Sequence, residues 1–598
     1  MVDPPKRITD NCIAERIVMM NRRFFLGVLG PASAFAQQGP PREERVEKMT
    51  APASQTLALC HVGFLPRAGK ILVVRNPISP APAEFTLRNL VDPWGFKPRT
   101  FPLREVNADF GRHLVGDFSS FADEGYYQID VGAQRSVPFW IREDVWRRIL
   151  PKALNYIHSQ RCGVAVPNVH PVCHLDDAKR RDNGEYVDTT GGWHDAGDLR
   201  KWMSATMMNG FALLHLARNL GEKWNADGSG TAPLLDEMKW GNRYFLKMQD
   251  PSGYVWHDVA GGVNGDNSDN HWTDNQVGTA DDRYINTSRN MRIQAMFCYL
   301  QALAAGVYRA TDPGYGQVCL AAGLRCWKAA KQEGGTGDLA WWVLAAIELH
   351  RATGREEFRS AAVALAGQLL QLQVTGYEHG QKIVRGYWRM SAASPDPYAS
   401  PTDSALPAYA LLEAGQAFRA DSGSRRWLDA VKMHIDDYLV PMTSRSPYRI
   451  LPYGLFVGTP TAETYRPLAG GLTYRYFLPV RKQFWWQGLN AHLACCALLL
   501  FGAAKEFGEP EYRNLGLRQL EWTFGANPFA ACLMTGEGAR NPYPYSRYVG
   551  LIPGGIMNGI AGNVQDEPVL DTEMGFDWRT LEYWSPHVGY FTWAVSAL

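Results

Sequence analysis

The chain of 598 residues has almost no net charge, because 61 lysines and arginines stand against 60 aspartates and glutamates. It lacks the basic surplus typical of nucleic-acid-binding proteins, and it lacks an acidic surplus that would favour a cationic partner. It also has no apolar run near the roughly 18 residues that a membrane-spanning helix needs. We therefore expect neither nucleic acid nor a membrane span.

Aromatic residues are abundant instead: they make up 12% of the chain, with 20 tryptophans and 26 tyrosines. Hydrophobic residues make up 46% and charged residues 20%, which indicates a globular protein. Aromatic side chains favour a large, rigid core. They also suit a groove that stacks flat rings on sugar faces, and both interpretations stay open.

The first segment, residues 1–36, has the pattern of an export signal. Asn21–Leu26 carries a twin arginine followed by a short apolar run, and Ala34–Ala36 offers an A-x-A cleavage site. Because export signals lie at the N-terminus, Met19 or Met20 is the expected true start. We expect a secreted or periplasmic protein, although an accidental arginine pair would look the same.

Composition divides the rest of the chain. Residues 37–54 are rich in Pro, Gln and Glu and read as a linker. Residues 55–145 contain strand-sized runs such as Lys70–Val74, broken by Pro and Gly, which predict a β-sandwich of about 90 residues. From 146 to 598 the apolar period becomes helical, with about a dozen helices between long loops. That pattern favours an α/α toroid over a four-helix bundle.

The first motif with chemical content is Gly191–Asp198, which reads GGWHDAGD. Asp195 and Asp198 are three residues apart, so a turn entering a helix that starts near Asp198 aims both carboxylates the same way. The unpaired amides of a helix start hold an aspartate ionised, as a general base for water must be. Taken alone, this spacing more often belongs to a capping or surface pair.

The second motif is Leu581–Phe591 near the C-terminus, where Glu582 is a lone carboxylate among aromatic residues. Partial desolvation raises the proton affinity of a glutamate, which suits a general acid. A surface glutamate before a last helix is the plain alternative.

A third set combines thiols and imidazoles: Cys162, Cys173, His174 and His194. Two thiolates and two imidazoles suit a tetrahedral zinc site. Ten cysteines in an exported chain also suggest disulfides, so a Cys162–Cys173 bridge stays open.

Together these segments resemble glycoside hydrolase family 9, in the branch with an N-terminal immunoglobulin-like domain. The resemblance also rests on Val62–Pro66, Leu235–Gly241 and Gly525–Phe529. It implies an all-α (α/α)6 barrel catalytic domain preceded by a small all-β immunoglobulin-like sandwich. It further implies an inverting glycoside hydrolase whose substrate is a β-linked glucan, polysaccharide or oligosaccharide.

By this resemblance, Asp198 is the general base, Asp195 helps hold the attacking water, and Glu582 is the general acid. Inversion leaves room for water between base and sugar, so the acid and base carboxyls should lie roughly 6.5–9.5 Å apart.

The resemblance also implies metals. Cys162, Cys173, His174 and His194 fall on the family's structural zinc ligands. Calcium is common in the family, and the stretch from Asp258 to Asp282 is rich in oxygen ligands. These are Asn264, Asp266, Asn267, Asp269, Asp281 and Asp282. Solvated loop polarity explains that stretch as well as calcium does.

One stretch departs from the family pattern, because Pro544–Arg547 has an arginine but not the usual histidines. We expect Arg547, Tyr545 and Trp193 to contact substrate, with the endo or exo mode left open. Alternatives are an exo-acting β-glucosidase or β-glucosaminidase of the same family, a non-catalytic carbohydrate-binding protein, and a polysaccharide lyase.

Overall fold

The structure, a computed structural model, describes residues 49–221, 232–261, 271–479, 487–546, 551–572 and 577–598. The predicted export signal lies outside these ranges, and so do Arg547 and the predicted loop residues Asn264, Asp266, Asn267 and Asp269. Within the described ranges, no helix is both long and apolar enough to cross a bilayer.

The N-terminal part of the described chain is β-rich. Its strands are β1 (Thr56–Ala58), β2 (Gly63–Phe64), β3 (Ile71–Arg75), β4 (Glu84–Asn89), β5 (Arg99–Ala108), β6 (Gly111–Asp117), β7 (Gly125–Val131), β8 (Gln134–Arg135) and β9 (Phe139–Ile141). They follow the order β1-β3-β6-β5-β4-β7-β9-β2, with β8 beside β7.

Strand β5 links two ladders, because its first half pairs with β4 and its second half with β6. Alternate residues of β7 point inward, as a half-buried strand requires. The interior is aromatic: Phe64 packs edge-on against Phe118 and Phe139, with ring centroids 5.4 Å away in both pairs. The predicted β-rich region is thus present.

Twelve helices of ten or more residues follow among the described residues. They are α1 (Leu150–Ser159), α2 (Met203–Leu220), α3 (Ala232–Lys247), α4 (Met291–Tyr308), α5 (Pro313–Ala329), α6 (Thr336–Thr353), α7 (Glu356–Gln371), α8 (Leu406–Ala417), α9 (Ser424–His434), α10 (Asn490–Phe507), α11 (Pro510–Thr523) and α12 (Ser585–Ala597). A π-helical turn at Ile435–Leu439 carries α9 into Val440–Thr443, and a short helix spans Trp578–Leu581.

Every second helix belongs to an inner ring. Helices α2, α4, α6, α8, α10 and α12 each contact the next, and α12 closes the ring on α2. The helices between them pack outside as hairpin partners. Inner helices are apolar on all sides because other helices surround them; nearly every residue of α10 up to Ala503 is buried. This is the (α/α)6 barrel that the family resemblance implies.

A small sheet lies at the N-terminal end of α2. Its strands β10 (Lys179–Arg180), β13 (Tyr284–Asn286), β12 (Asp258–Ala260) and β11 (Lys201–Trp202) pair in that order. Strand β11 directly precedes α2, so the sheet fixes the loop that carries the first motif. The remaining strands are β14 (Arg389–Ser391), β15 (Ser394–Pro397), β16 (Gly454–Val457), β17 (Arg466–Ala469), β18 (Leu472–Arg475), β19 (Ala561–Gly562) and β20 (Pro568–Val569).

The β-rich region and the barrel share one continuous hydrophobic core. Asp109, in the β5–β6 turn, accepts hydrogen bonds from the hydroxyls of Tyr474 and Tyr476 at 2.6 and 2.9 Å. The His61 amide donates to the Phe524 carbonyl at 2.7 Å. The two parts are therefore joined by specific polar contacts as well as by apolar packing.

Candidate active site

The two acidic motifs meet although 389 residues separate them in sequence. Ala196 forms a β-bridge with Trp584, and the Ser585 amide donates to the Asp195 carbonyl at 2.7 Å. The Trp584 indole donates to Asp195 Oδ2 at 3.0 Å. The catalytic loop, by which we mean residues 191–202, is thus bound directly to the segment that carries Glu582.

The Tyr545 segment completes this arrangement. Tyr545 forms a parallel bridge with Glu582, and its amide donates to the Leu581 carbonyl at 3.1 Å. Gly197 passes so close that a Cβ there would lie 2.6 Å from the Tyr545 carbonyl oxygen, so no larger residue fits without a shift. Tyr545 is half-buried beside Glu582.

Asp195 is almost fully buried, with 2% of its surface exposed. Its Oδ1 accepts from the Trp202 amide at 3.0 Å, opposite the Trp584 contact. Burial, and next the negative charge of Asp198, raises the pKa of Asp195 from its usual 3.8 to about 7. The aspartate is therefore held in place by two N–H donors, yet it is costly to ionise.

Asp198 is half-buried and accepts a hydrogen bond from the Arg200 amide at 3.2 Å. The prediction that a helix starts near Asp198 is wrong, because α2 begins at Met203, after strand β11. The carboxylates thus lie in a loop that leads into strand β11, and the Trp202 amide that holds Asp195 belongs to that strand.

Trp202 and Trp584 both hold Asp195, and the sequence patterns did not single out either of them. Each places an N–H on one oxygen of Asp195. Their nearness in sequence to the two motifs was the available signal, but neither the backbone hydrogen bond of Trp202 nor the indole hydrogen bond of Trp584 is visible in spacing.

A buried ion cluster lies under the catalytic loop. Asp177, Lys201 and Arg283 are fully buried, and Asp177 contacts the two cations at 2.5 and 2.6 Å. Arg283 also donates to the Leu199 carbonyl at 2.6 Å, and Lys201 to the Thr189 carbonyl at 2.7 Å. Because breaking a buried pair leaves an uncompensated charge, we expect this cluster to restrain the catalytic loop.

Trp193 does not face a cleft. Its ring is fully buried against Gly241, where a Cβ would lie 1.9 Å from the ring, and its indole donates to Glu237 at 2.9 Å. A buried ring offers no face to a sugar, so its burial contradicts the predicted contact of Trp193 with substrate. Its motif position instead reflects packing under the loop.

Cys162, Cys173, His174 and His194 come together as a buried cluster whose candidate ligand atoms lie within 4.8 Å of one another. The sulfur–nitrogen distances are 3.6 and 3.7 Å, and the two imidazole nitrogens are 3.4 Å apart. A tetrahedral ion with bonds of about 2.0–2.3 Å puts its ligands about 3.3–3.8 Å apart, so this cluster fits a metal ion.

The surroundings of the cluster also favour a metal. His174 Nε2 donates to the His271 carbonyl at 3.0 Å, which leaves Nδ1 to point inward. Cysteines among the described residues are free thiols, so the alternative Cys162–Cys173 disulfide is absent there.

A second candidate cluster contains Asp176, Asp281 and Asp282, whose oxygens lie within 4.8 Å of one another. Asp281 and Asp282 belong to the oxygen-rich stretch, whereas Asp176 was not predicted. Thr273 donates to Asp176 at 2.6 Å, and the Gly278 amide donates to Asp282 at 2.9 Å.

The model of the family described as "Glycosyl hydrolase family 9" matches residues 146–549. A cellodextrinase of Butyrivibrio fibrisolvens is 32% identical over 161 residues, which are 24% of this chain and 29% of that protein. A xyloglucan-specific endo-β-1,4-glucanase of Bacteroides ovatus is 22% identical over 516 residues, 75% of this chain and 76% of that protein. The chain spans about a third of the length of the first curated relatives it matches.

The fold has solved counterparts as well. The crystal structure of a metagenome-derived glycoside hydrolase family 9 endoglucanase matches with a TM-score of 0.66 at 21% identity, and the match covers 91% of this chain and 98% of the other. The family model extends over well over half of this chain, including Asp195, Asp198 and Tyr545. The chain therefore belongs to glycosyl hydrolase family 9.

Proposed function

We propose that the protein hydrolyses a β-1,4-linked glucan with inversion at the anomeric carbon. The observation that carries the proposal is the contact between the catalytic loop and the Glu582 segment, made by the Trp584–Asp195 hydrogen bond and the Ala196–Trp584 bridge. Relatives named as a cellodextrinase and as a xyloglucan-specific endo-β-1,4-glucanase support this substrate class.

In the proposed reaction, Glu582 donates a proton to the glycosidic oxygen as its bond to the anomeric carbon breaks. Water attacks that carbon from the opposite face and loses a proton to Asp198. Asp198 suits this role because it is the less buried of the two aspartates and can meet water. One displacement with water on the far face converts a β-linkage into an α-product.

Asp195 has a supporting role in this proposal. Two N–H donors fix its carboxylate, and its raised pKa lets the pair of aspartates avoid two full charges at neutral pH. Asp195 then orients the attacking water while Asp198 carries the charge that accepts the proton.

We further propose that zinc is bound by Cys162, Cys173, His174 and His194. Zinc in such a site supplies structural cross-linking and no chemistry of its own. His194 directly precedes Asp195, and the Cys162 amide donates to the Gly192 carbonyl at 2.9 Å. The four residues therefore brace the catalytic loop from behind.

Calcium at Asp176, Asp281 and Asp282 is a separate proposal. Three carboxylates at short range provide the hard oxygen ligands that calcium prefers. Lys179 approaches Asp282 at 3.7 Å and offsets only one of the three negative charges.

The domain organisation is proposed as an immunoglobulin-like sandwich over 55–145 and a catalytic barrel over 146–598. We propose that the sandwich braces the barrel, which the Asp109 and His61 contacts support.

Export by the twin-arginine segment at Asn21–Leu26 would place the protein in the periplasm or outside the cell. Mass spectrometry of the exported protein, with a mature start after Ala36, tests this.

Release of reducing sugar tests the activity. The full chain is incubated with soluble β-1,4-glucan, xyloglucan and cello-oligosaccharides, and product lengths are resolved. We expect release that depends on Asp198 and Glu582. Binding without release would mean a carbohydrate-binding protein, and products absorbing in the ultraviolet would mean a lyase.

A further inference from the structure

A cavity of about 240 Å³ opens at the N-terminal ends of the inner helices. Its lining includes Trp202, Arg292, Asp403, Trp584 and Tyr590, and we call it the inner pocket. Trp202 and Trp584 are also the two residues whose N–H groups hold Asp195. An occupant of the inner pocket therefore lies next to the catalytic loop.

Arg292, in the first turn of α4, has unused hydrogen-bonding capacity in this pocket. Its Nη2 contacts the Asp403 carboxylate and donates to the Thr402 hydroxyl at 3.0 Å. Its Nε is enclosed by protein and out of reach of a ligand, whereas Nη1 makes no hydrogen bond within the described residues. A guanidinium has five N–H donors, and about a third of this side chain (34%) is still exposed.

The carboxylate of Asp403, by contrast, already accepts hydrogen bonds from several groups. Besides Arg292, it accepts from the Tyr590 hydroxyl at 2.7 Å and the Trp341 indole at 3.1 Å. These donors come from α12 and α6, so the carboxylate ties several inner helices together and fixes the guanidinium.

The inner pocket thus combines the exposed end of a guanidinium with aromatic walls. Arg292 and Asp403 are its only charged lining residues within the described chain, and their charges offset each other. Such a pocket favours a neutral ligand with hydroxyl oxygens and an apolar ring face, which describes a neutral glycosyl unit and not a uronic acid.

We propose that Arg292 is a specificity-determining residue that donates a hydrogen bond from the exposed end of its guanidinium to a hydroxyl of the glycosyl unit bound beside Asp195. The proposal rests on the proposed function, because it requires a sugar substrate. A sugar that lacks the matching hydroxyl leaves a buried donor unpaired and binds more weakly.

Calorimetric titration on a Glu582→Gln background tests this, because a sugar then binds without being cleaved. The ligands are cellotriose and its monodeoxy analogues. Arg292→Lys keeps the positive charge beside Asp403 but loses the planar set of donors. The matched control is Arg289→Lys, since Arg289 lies outside the pocket, near Asp250 and stacked on Tyr254.

We expect Arg292→Lys to raise the Kd for cellotriose about three- to tenfold, the worth of one hydrogen bond, while Arg289→Lys leaves it unchanged. One monodeoxy analogue should bind the Glu582→Gln protein more weakly by a similar factor. That penalty should disappear when Arg292→Lys is added.

If the Arg292→Lys substitution and the missing sugar hydroxyl weaken binding additively, the assignment of Arg292 is overturned. An unchanged Kd for cellotriose in Arg292→Lys would overturn it as well. If Arg292→Lys does not fold, the analogues alone decide, because equal binding of every monodeoxy sugar contradicts the proposal. No binding of cellotriose by folded Glu582→Gln protein would instead overturn the proposed function itself.

Discussion

Two aspartates three residues apart in one loop differ in what surrounds them. Asp195 is 2% exposed and held by Trp202 and Trp584, whereas Asp198 is half-buried and accepts a hydrogen bond from the Arg200 amide. The more buried carboxylate is harder to ionise and better fixed, and the other is nearer to water. This difference assigns the proposed roles of water holder and base.

The first prediction separates the acid from the base by the leaving group. Asp198→Ala and Glu582→Gln should each cut turnover by about 10²–10⁴-fold, the usual contribution of a positioned acid or base. An aryl glycoside with an acidic phenol needs little protonation, so Glu582→Gln should retain relatively more activity on it. Asp198→Ala should not gain from that substrate, because the attacking water still lacks its base. Steady-state kinetics on a series of aryl glycosides measures both, and equal losses of Glu582→Gln on good and poor leaving groups would refute the acid assignment.

A second prediction concerns pH and Asp195. Its pKa in the folded protein is raised from 3.8 to about 7, so the unfolded chain ionises first as pH rises. The free energy of unfolding then falls as pH rises between these two pKa values and levels off above the higher one. The total loss is a few kcal/mol, because each unit of pKa difference is worth about 1.4 kcal/mol. The Tm of Asp195→Asn relative to the parent should therefore increase from pH 4 to pH 7.

Thermal unfolding across that pH range checks this expectation, with Asp123→Asn as the control because Asp123 is exposed. A Tm difference between parent and Asp195→Asn that stays flat with pH would mean that burial does not raise this pKa.

At the scale of elements, the catalytic loop is supported from several sides: β11 pairs with β12, the buried Asp177 cluster lies beneath, and the Cys/His cluster lies behind. Its conformation depends on groups distant in sequence. A substitution in any of these supporting groups should shift Asp195, although the substituted residue does not contact substrate.

The third prediction is about one zinc per chain, with loss of that zinc in Cys173→Ser. Cys496→Ser is the matched control, because Cys496 is also a buried thiol but lies in α10. Elemental analysis of dialysed protein counts the metal. We expect zinc loss to lower both Tm and turnover, since the loop loses its brace. Protein that contains no zinc and remains fully active would contradict the site.

Helices were more predictable than the site. Long apolar periods predicted the helical region and the toroid, because burial of a helix face leaves a repeating pattern in sequence. The start of α2 was misplaced by several residues, because strand β11 pairs with a distant partner, Asp258–Ala260. Such a pairing leaves no local signal.

The site was predictable where residue types are chemically rare. The Cys/His cluster assembled from the four residues that sequence chemistry selected. The predicted substrate contact of Trp193 is wrong, because an aromatic ring in a motif looks the same in sequence whether it faces sugar or Gly241. The roles of Trp202 and Arg292 depend on hydrogen bonds across the fold, which spacing cannot show.

For the whole molecule, the ring of inner helices gathers the proposed functional residues at one end. Asp195 and Asp198 precede α2, Arg292 begins α4, and Glu582 precedes α12. The β-rich region contacts the barrel through Asp109. If it acts as a brace, weakening this contact should affect stability more than catalysis.

The fourth prediction is that Asp109→Asn lowers the Tm while kcat and KM at moderate temperature stay near parental values. Asp109 accepts from two tyrosine hydroxyls and has Arg445 and Arg466 at 3.9 and 3.8 Å, so the change should cost about 1–3 kcal/mol. Asp123→Asn is again the control. Loss of glucan binding in Asp109→Asn with unchanged Tm would contradict the bracing role.

The stereochemistry of the first product tests the central claim most directly. Proton NMR during the first minutes of cleavage of a β-linked oligosaccharide shows which anomer forms before mutarotation mixes the two. A single displacement, with water activated by Asp198 opposite Glu582, predicts the α-anomer first. An initial β-anomer would mean retention and would contradict the proposed roles of both residues.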